Sequence, residues 1–323
     1  MNKLVQEPQI ISRYSENIVL NTNIFKSLKQ IKFQDEIKLI FFGTPEFSSY
    51  ILTQLLAFQP GVVKLNEPKF VIQAVVTNPD KPVGRKQTLT QSAVSLVAQK
   101  YHLLTLKPEK LDETFIKNHL SLLECDLFLV AAYGKIIPKA LLDIPRLGSI
   151  NVHGSVLPKY RGASPIQQAI LNGDKETGVT IMLMDEKMDH GPILYTKKIS
   201  ILPQDNFITL SKKMSEEGAR LLIKVLPQFI QGKIFPKSQN HQKATFTKII
   251  KKEDGYFDIN NPSSLKTLDK MIRAYYPWPT TWTKWSGKIV KFLPEGMIQM
   301  EGKKVISLKD FLNGYPNFPI KDF

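Results

Sequence analysis

Cysteine is almost absent from this sequence of 323 residues, which contains only Cys125. A single thiol excludes an internal disulfide and a metal site built from a cysteine cluster. Cys125 lies in the mostly apolar segment L-L-E-C-D-L-F-L-V, where we expect a buried and unreactive thiol. The scarcity of cysteine also favours a reducing compartment.

The sequence lacks a run of apolar residues long enough to cross a membrane, which takes about 18 of them. We therefore expect no transmembrane helix and no membrane partner. Residues 1–36 lack the form of a secretory signal and carry acidic as well as basic residues, which argues against a transit peptide. We expect them to form an appended, poorly ordered extension. The predicted location is the bacterial cytoplasm, with an organellar matrix as the alternative.

A G-x-G-x-x-G motif is also missing, so a dinucleotide-binding site has little support. The first apolar run, at residues 37–42, predicts a strand, and Gly43-Thr44-Pro45 follows it. We expect Thr44 to cap a helix and Pro45 to occupy its first position. A turn between a strand and a helix N-terminus is a common place for a ligand.

Predicted strands and helices alternate along the chain. The apolar run at residues 127–134 is continuous, as expected in a sheet that is covered on both faces. The fold class is therefore α/β, with a mainly parallel sheet and helices on both faces. Further strands are predicted at 70–77, 179–184 and 193–201, and helices at 91–102, 163–171 and 207–230. We expect Pro227 to kink the last helix or end it early.

The chain is long enough for two domains. The first is predicted over residues 37–232, and a polar linker over residues 233–243. The second, residues 244–323, contains predicted strands between Thr281 and Phe292.

The charge is strongly positive, with 44 Lys and Arg against 29 Asp and Glu and a net charge of +15. This balance favours a polyanionic partner such as a nucleic acid. A lysine-rich surface that is merely solvated is the alternative.

Asn151 and His153 end a short apolar run, and side chains two residues apart share one face of a strand. A carboxylate from a later loop, such as Asp189, could reach the imidazole. The amide and imidazole can stabilise an oxyanion, and the imidazole and carboxylate can transfer protons. Such a set suits acyl transfer to an amine, although capping or structural roles are the alternative.

The surrounding sequence, N-V-H-G-S-V-L-P-K-Y-R-G-A-S-P-I followed by M-D-H-G, resembles the folate-dependent formyltransferase family. The resemblance implies that Asn151, His153 and Asp189 are a catalytic triad. It also implies that Ser155, Val156, Leu157 and Pro158 bind folate, with Val130 on a strand that frames the site. Val156 departs from the usual S-L-L-P. The implied co-substrate is 10-formyltetrahydrofolate, and no metal is required.

The polar loop at residues 78–88 resembles the T-x-P-D-x-P-x-G-R loop of methionyl-tRNA formyltransferases. In that family the loop contacts the tRNA acceptor end. Arg85 matches its principal arginine, and Lys81 and Lys86 are supporting cations. A guanidinium suits phosphate because it donates two parallel hydrogen bonds. An ordinary mobile surface loop is the alternative.

The second domain contains I-R-A-Y-Y-P-W-P, which resembles the C-terminal barrel of the same family. We expect Lys251 and Lys252 to contact the tRNA backbone. The aromatic residues Tyr275, Trp278, Trp282 and Trp285 suit either base stacking or core packing. Few residues remain after Phe292 for the family's later strands, so we expect a shortened barrel.

The resemblance implies formyl transfer to the amino group of initiator methionyl-tRNA, by a protein that we expect to be a monomer. One alternative is a related transferase that acts on a sugar amine or glycinamide ribonucleotide. Another is an RNA-binding protein without catalytic activity.

Overall fold

The computed structural model of the protein describes residues 24, 27–28, 36–58, 68–84, 86–261 and 264–323. Most of the predicted extension, residues 1–36, and the predicted tRNA contact Arg85 lie outside these residues.

The strands of the described chain belong to one large sheet and three smaller ones. They are β1 (Glu36–Gly43), β2 (Lys69–Val76), β3 (Lys81–Val83), β4 (Thr88–Thr90), β5 (Thr105–Leu106), β6 (Leu127–Ala131), β7 (Ser149–His153), β8 (Arg161–Gly162), β9 (Glu176–Leu183), β10 (Ile193–Ser200), β11 (Phe246–Thr247), β12 (Thr281–Trp285), β13 (Lys288–Leu293), β14 (Met297–Met300) and β15 (Ile306–Ser307).

The helices lie between these strands. They are α1 (Glu46–Ala57), α2 (Ala93–Lys100), α3 (Glu113–Phe115), a π-helical turn (Ile116–Leu120), α4 (Lys139–Leu142), α5 (Pro165–Asn172), α6 (Phe207–Ile230), α7 (Leu265–Tyr275) and α8 (Leu308–Gly314), with 3₁₀ turns at His241–Lys243 and Lys252–Gly255.

The large sheet has the strand order β10-β9-β7-β6-β1-β2-β5. Its central strands are parallel, since β1 pairs with β2 and β6, and β6 pairs with β7. β9 is antiparallel to both β7 and β10 and so forms the exception at one edge. The predicted mainly parallel α/β sheet is confirmed.

Strand β1 shows why helices cover both faces of this sheet. Ile37, Leu39 and Phe41 are buried in one hydrophobic core, whereas Ile40 and Phe42 are buried in another. Successive side chains of a strand point to opposite faces. Because β1 places apolar side chains on both faces, the sheet must be covered on both sides.

The start of α1 differs from the prediction. Pro45, and not Thr44, occupies the N-cap position, and no side chain caps this helix. Thr44 Oγ1 instead donates to the carbonyl oxygen of Tyr133 at 2.9 Å. The hydroxyl group therefore joins two loops at the carboxyl edge of the sheet.

Helix α6 has the predicted bounds, and the predicted early end at Pro227 is wrong because the helix continues to Ile230. Its start is fixed by a capping box, in which Asn206 and Thr209 each accept a hydrogen bond from the other's backbone N–H. This pairing satisfies N–H groups that a helix N-terminus otherwise leaves without partners.

The C-terminal part forms an antiparallel sheet in the order β12-β13-β14-β15. Its core includes Val290, Phe292 and Ile298. Helix α7 contributes to two cores. Ala274 and Tyr275 are buried in the core of the large sheet, and Leu268 and Ile272 in that of the C-terminal sheet.

Two residues of the predicted extension, Ile24 and Leu28, are buried in the core of the large sheet. At these positions the chain packs onto the first domain. Among the described residues, no helix combines the length and apolar character needed to cross a membrane.

Candidate active site

Strand β7 brings Asn151 and His153 to the same face of the large sheet. Asn151 is opposite Val130 of β6 and Met182 of β9, and His153 is opposite Thr180. Asn151 is 8% exposed and His153 is 6% exposed. Strands on both sides therefore hold the backbone of Asn151, and β9 holds that of His153.

Asp189 lies in the loop between β9 and β10 and completes the cluster. Its Oδ1 accepts from Asn151 Nδ2 at 3.3 Å and lies 3.4 Å from His153 Nδ1. Its Oδ2 accepts from the backbone N–H of Gly162 at 2.7 Å. The structure therefore brings together the three residues that the sequence singled out.

The ring of His153 is oriented from its other side. Its Nε2 lies 2.9 Å from the carbonyl oxygen of Tyr160. A carbonyl oxygen can only accept, so this hydrogen bond requires a proton on Nε2. Nδ1 is then the nitrogen that faces Asp189 and the site, where it can exchange a proton.

Several residues around this cluster were missed at the sequence level. Gly162 and Tyr160 act through backbone groups, which leave little trace in residue type. Gln239, from the predicted linker, donates from Nε2 to the carbonyl oxygens of Asp189 and Gly191. Arg161 in turn donates to Gln239 Oε1. These contacts depend on the tertiary fold, and no local signal identifies them.

The segment Ser155, Val156, Leu157 and Pro158 follows β7 directly. Ser155 is fully buried, and its hydroxyl donates to the carbonyl oxygen of Lys159 at 2.5 Å. Thr180 Oγ1 donates to Ser155 O at 2.7 Å and accepts from Leu157 N at 3.2 Å. The described hydrogen bonds of Ser155 therefore stabilise the conformation of the segment 155–158.

A second group of polar atoms lies at the carboxyl edge of the sheet. The carbonyl oxygen of Tyr133 accepts from Thr44 Oγ1 and from Asn78 Nδ2. Within the described residues, the buried Tyr133 hydroxyl and Asn78 Oδ1 have no hydrogen-bond partner. Burial raises the pKa of Tyr133 to about 12, so this hydroxyl stays neutral and can donate. Ligands bind at this edge in α/β sheets.

The predicted tRNA-binding lysines lie on exposed surface. Lys81 and Lys86 belong to the hairpin of β3 and β4, in which every described residue is exposed. Lys251 and Lys252 are exposed at the 3₁₀ turn beside the C-terminal sheet. Among the described residues, these lysines form no hydrogen bond or ion pair with Asn151, His153 or Asp189.

The aromatic residues of the second domain divide into two groups. Tyr275 is buried, and Trp285 packs against Phe311 and Phe318. Trp278 and Trp282 instead line a surface cavity of about 290 Å³, together with Lys252, Lys291, Gln299 and Glu301. Tyr275 and Trp285 therefore serve core packing, whereas Trp278 and Trp282 face a cavity.

The described part of the chain contains no group of three or more His, Cys, Asp or Glu side chains arranged to hold a metal ion. Cys125 donates weakly to Leu127 O at 3.4 Å, and burial raises its pKa to about 12. A thiol with so high a pKa is a poor nucleophile near neutral pH.

Comparison with known proteins extends these observations. The model of a family described as formyl transferase matches residues 38–226, and that of the formyl transferase C-terminal domain matches residues 249–295. The solved structure of a sugar N-formyltransferase from Shewanella sp. has a TM-score of 0.61 and 18% identity, covering 83% of this chain and 99% of its own. That likeness concerns the fold alone. The fold and the family match place this chain in the class of formyl transferases.

Relatives of higher sequence identity show which family within this class the chain belongs to. A methionyl-tRNA formyltransferase from Halalkalibacterium halodurans is 42% identical over 255 residues, which are 79% of this chain and 77% of the relative. One from Chloroflexus aurantiacus is 39% identical over 269 residues, 83% of each chain. The chain belongs to the methionyl-tRNA formyltransferase family.

Proposed function

We propose that the protein transfers the formyl group of 10-formyltetrahydrofolate to the amino group of initiator methionyl-tRNA. The observation that carries this proposal is the contact of Asn151, His153 and Asp189 at one end of β7. Family membership supports both the reaction type and the acceptor.

The reaction replaces one C–N bond with another. The neutral amine of the aminoacyl group attacks the formyl carbon, and negative charge develops on the formyl oxygen. The bond from that carbon to the folate nitrogen then breaks, and one proton passes from the attacking nitrogen to the leaving one. Catalysis thus requires a donor for the oxygen and a group that moves a proton.

Asn151 suits the first role. Its Nδ2 carries two hydrogens, of which one is directed to Asp189, so the other remains for the formyl oxygen. Strand pairing on both sides holds the backbone of Asn151 before the substrate binds. A donor that is fixed in advance stabilises developing charge without reorganisation.

His153 and Asp189 suit the second role. Because Nε2 is directed to Tyr160 O, proton exchange takes place at Nδ1, next to Asp189. The carboxylate lies against Nδ1 and orients the imidazole. The pair can take the proton from the amine, directly or through water, and return it to the leaving nitrogen.

For the folate we propose a site between Val130 and the segment Ser155, Val156, Leu157 and Pro158. Val130 lies beside Asn151 in the sheet, and the segment continues from His153. The Tyr133 hydroxyl and Asn78 Oδ1, which have no hydrogen-bond partner among the described residues, suit a ligand that both donates and accepts hydrogen bonds. The folate would supply the activated formyl group, and we propose that no metal takes part.

For the tRNA we propose two contact regions. The exposed hairpin would use Lys81, Lys86 and Arg85 on the acceptor end. Lys251 and Lys252 would contact the backbone beside the C-terminal sheet. There Trp282, Lys291 and Gln299 are paired across three strands, which aligns a ring, a cation and an amide. Base stacking on Trp278 or Trp282 would add to phosphate contacts.

A sugar amine or glycinamide ribonucleotide is less well supported as the acceptor. The relatives at about 40% identity are methionyl-tRNA formyltransferases, whereas the sugar N-formyltransferase shares the fold at 18% identity. The relatives are bacterial, and we propose a monomer in a bacterial cytoplasm.

The test is formyl transfer from 10-formyltetrahydrofolate to methionylated initiator tRNA, followed by mass spectrometry of the released aminoacyl group. Free methionine, uncharged tRNA and an aminated nucleotide sugar serve as alternative acceptors. We expect product only with the charged tRNA. Transfer to the sugar alone would replace the proposed acceptor, and the absence of transfer to any acceptor would contradict the proposed activity.

A further inference from the structure

Gln239 connects the segment that leads to the C-terminal domain with the loop that carries Asp189. Its side chain is only 5% exposed. Nε2 donates to the carbonyl oxygen of Asp189 at 2.9 Å and to that of Gly191 at 2.7 Å. One carboxamide therefore holds the backbone on both sides of His190.

Arg161 fixes the orientation of this carboxamide. Its Nε and Nη2 donate to Gln239 Oε1 at 3.2 Å and 2.7 Å. A guanidinium can only donate and a carbonyl oxygen can only accept. The amide therefore satisfies all of its partners in one orientation only, with oxygen towards Arg161 and nitrogen towards the loop.

The Asp189 backbone needs such support. Its φ of +47° lies in the left-handed region, which residues with a Cβ seldom adopt. A relaxed backbone at this position would move both carboxylate oxygens away from Asn151, His153 and Gly162. Conformations of this kind persist where surrounding contacts hold them.

We propose that Gln239 is a positioning residue for formyl transfer, which acts by holding Asp189 against His153 and Asn151. This inference rests on the proposed function for its kinetic consequence, whereas its structural consequence is independent of the substrate. A residue of the predicted linker thereby becomes part of the catalytic arrangement.

Two substitutions separate the contacts of Gln239. Gln239→Glu keeps an oxygen acceptor for Arg161 and loses both donors to the loop. The buried guanidinium also supplies a partner for the new carboxylate, which favours a folded variant. Gln239→Leu loses all of these hydrogen bonds. Gln242→Glu makes the same change of charge at an exposed position three residues further along and serves as the matched control.

The kinetic test measures single-turnover formyl transfer, corrected for the fraction of enzyme that binds folate. We expect Gln239→Glu to lower the rate about 10- to 100-fold, because small displacements of catalytic groups carry such costs. KM for the tRNA and the rate of Gln242→Glu should stay within about twofold of wild type. In an Asp189→Ala background, Gln239→Glu should cost less than about threefold, since residues that act through one another are not additive.

Hydrogen exchange provides a measurement that needs no substrate. We expect faster exchange in residues 185–192 and at the Gly162 amide in Gln239→Glu, and unchanged exchange in Gln242→Glu. Equal losses of rate in the wild-type and Asp189→Ala backgrounds, or unchanged exchange in Gln239→Glu, would overturn the inference. If the wild-type protein formylates no acceptor, the proposed function fails and the exchange experiment alone decides the role of Gln239.

Discussion

At the scale of single residues, the polar cluster combines two side chains on a strand, Asn151 and His153, with a carboxylate on a loop, Asp189. Asn151 is held by strand pairing, whereas Asp189 depends on hydrogen bonds from Gly162 and Gln239. The two should therefore respond differently to substitution, because a strand position tolerates a truncated side chain better than a loop with a left-handed backbone.

We predict that Asn151→Ala lowers kcat at least about 100-fold, the usual cost of losing an oxyanion donor. His153→Ala and Asp189→Ala should each cost at least about as much, since acid–base groups contribute on that scale. Steady-state formylation of charged tRNA measures these effects, with the exposed Asn260→Ala as a control. Rates near that of wild type in all three variants would rule out the assignment.

How far the sequence predicts this site depends on the kind of contact. Asn151 and His153 can be paired from the two-residue repeat of a strand. Asp189 is distant in the sequence, and its inclusion depends on the family resemblance. Gln239 could not be predicted, because a polar residue in a linker looks the same whether it faces water or a buried loop.

At the scale of elements, helix α6 begins at a buried carboxylate. Asp205 accepts from Lys213 Nζ with both oxygens at 2.7 Å, and Oδ2 also accepts from Leu202 N. Burial raises the pKa of Asp205, but the hydrogen bonds from Lys213, Leu202 and Thr209 outweigh it and leave the pKa below its ordinary value. The ionised form thus stabilises the start of the helix.

We predict that Asp205→Asn lowers the free energy of unfolding by about 2 kcal/mol at pH 7, the scale of hydrogen bonds to charged groups. A lowered folded pKa gives a contribution that is present above the unfolded value of about 4 and is lost as the pH falls through the folded pKa. The difference from wild type should therefore shrink below about pH 4.

Urea denaturation at pH 7 and at pH 3.5, a value chosen near the ordinary pKa of about 4, measures this difference. Glu113→Gln, which alters an exposed carboxyl group, is the control. A difference that stays the same at both pH values would show that the charge of Asp205 is not the source of the stability.

The elements themselves were predicted with uneven success. The bounds of α6 follow from its apolar face and its polar cap, and both signals are local. The predicted cap of α1 was wrong because the Thr44 hydroxyl donates instead to Tyr133 O, in the loop after another strand. Pro227 did not end α6, since the side chain is buried in the packed last turns of that helix. Predictions from local sequence fail where a tertiary contact uses the group that the local rule needs.

At the scale of the whole molecule, the net charge of +15 favours binding of a polyanion, and the surface beside the C-terminal sheet is one of the two proposed contact regions. We predict that Lys251→Glu combined with Lys252→Glu raises KM for charged tRNA about 10-fold or more and leaves KM for folate unchanged. The slope of log affinity against log salt should fall by about two, one for each lost phosphate contact.

Filter binding over a range of salt concentrations measures that slope. Lys117→Glu combined with Lys175→Glu changes the net charge equally at exposed positions elsewhere and is the matched control. Equal weakening by both pairs would indicate a general effect of charge, with no specific contact at Lys251 and Lys252. Trp278→Ala in the same assay should weaken binding at every salt concentration, since stacking is not electrostatic.

Helix α7 couples the unfolding of the two parts of the chain. Ala274 and Tyr275 belong to the core of the large sheet, and Leu268 and Ile272 belong to the core of the C-terminal sheet. Removing the C-terminal residues from the linker onwards would open the larger core at the place that Tyr275 fills. The two domains that the sequence predicts therefore share helix α7. We predict that they unfold as one cooperative unit, so that heating gives a single calorimetric transition.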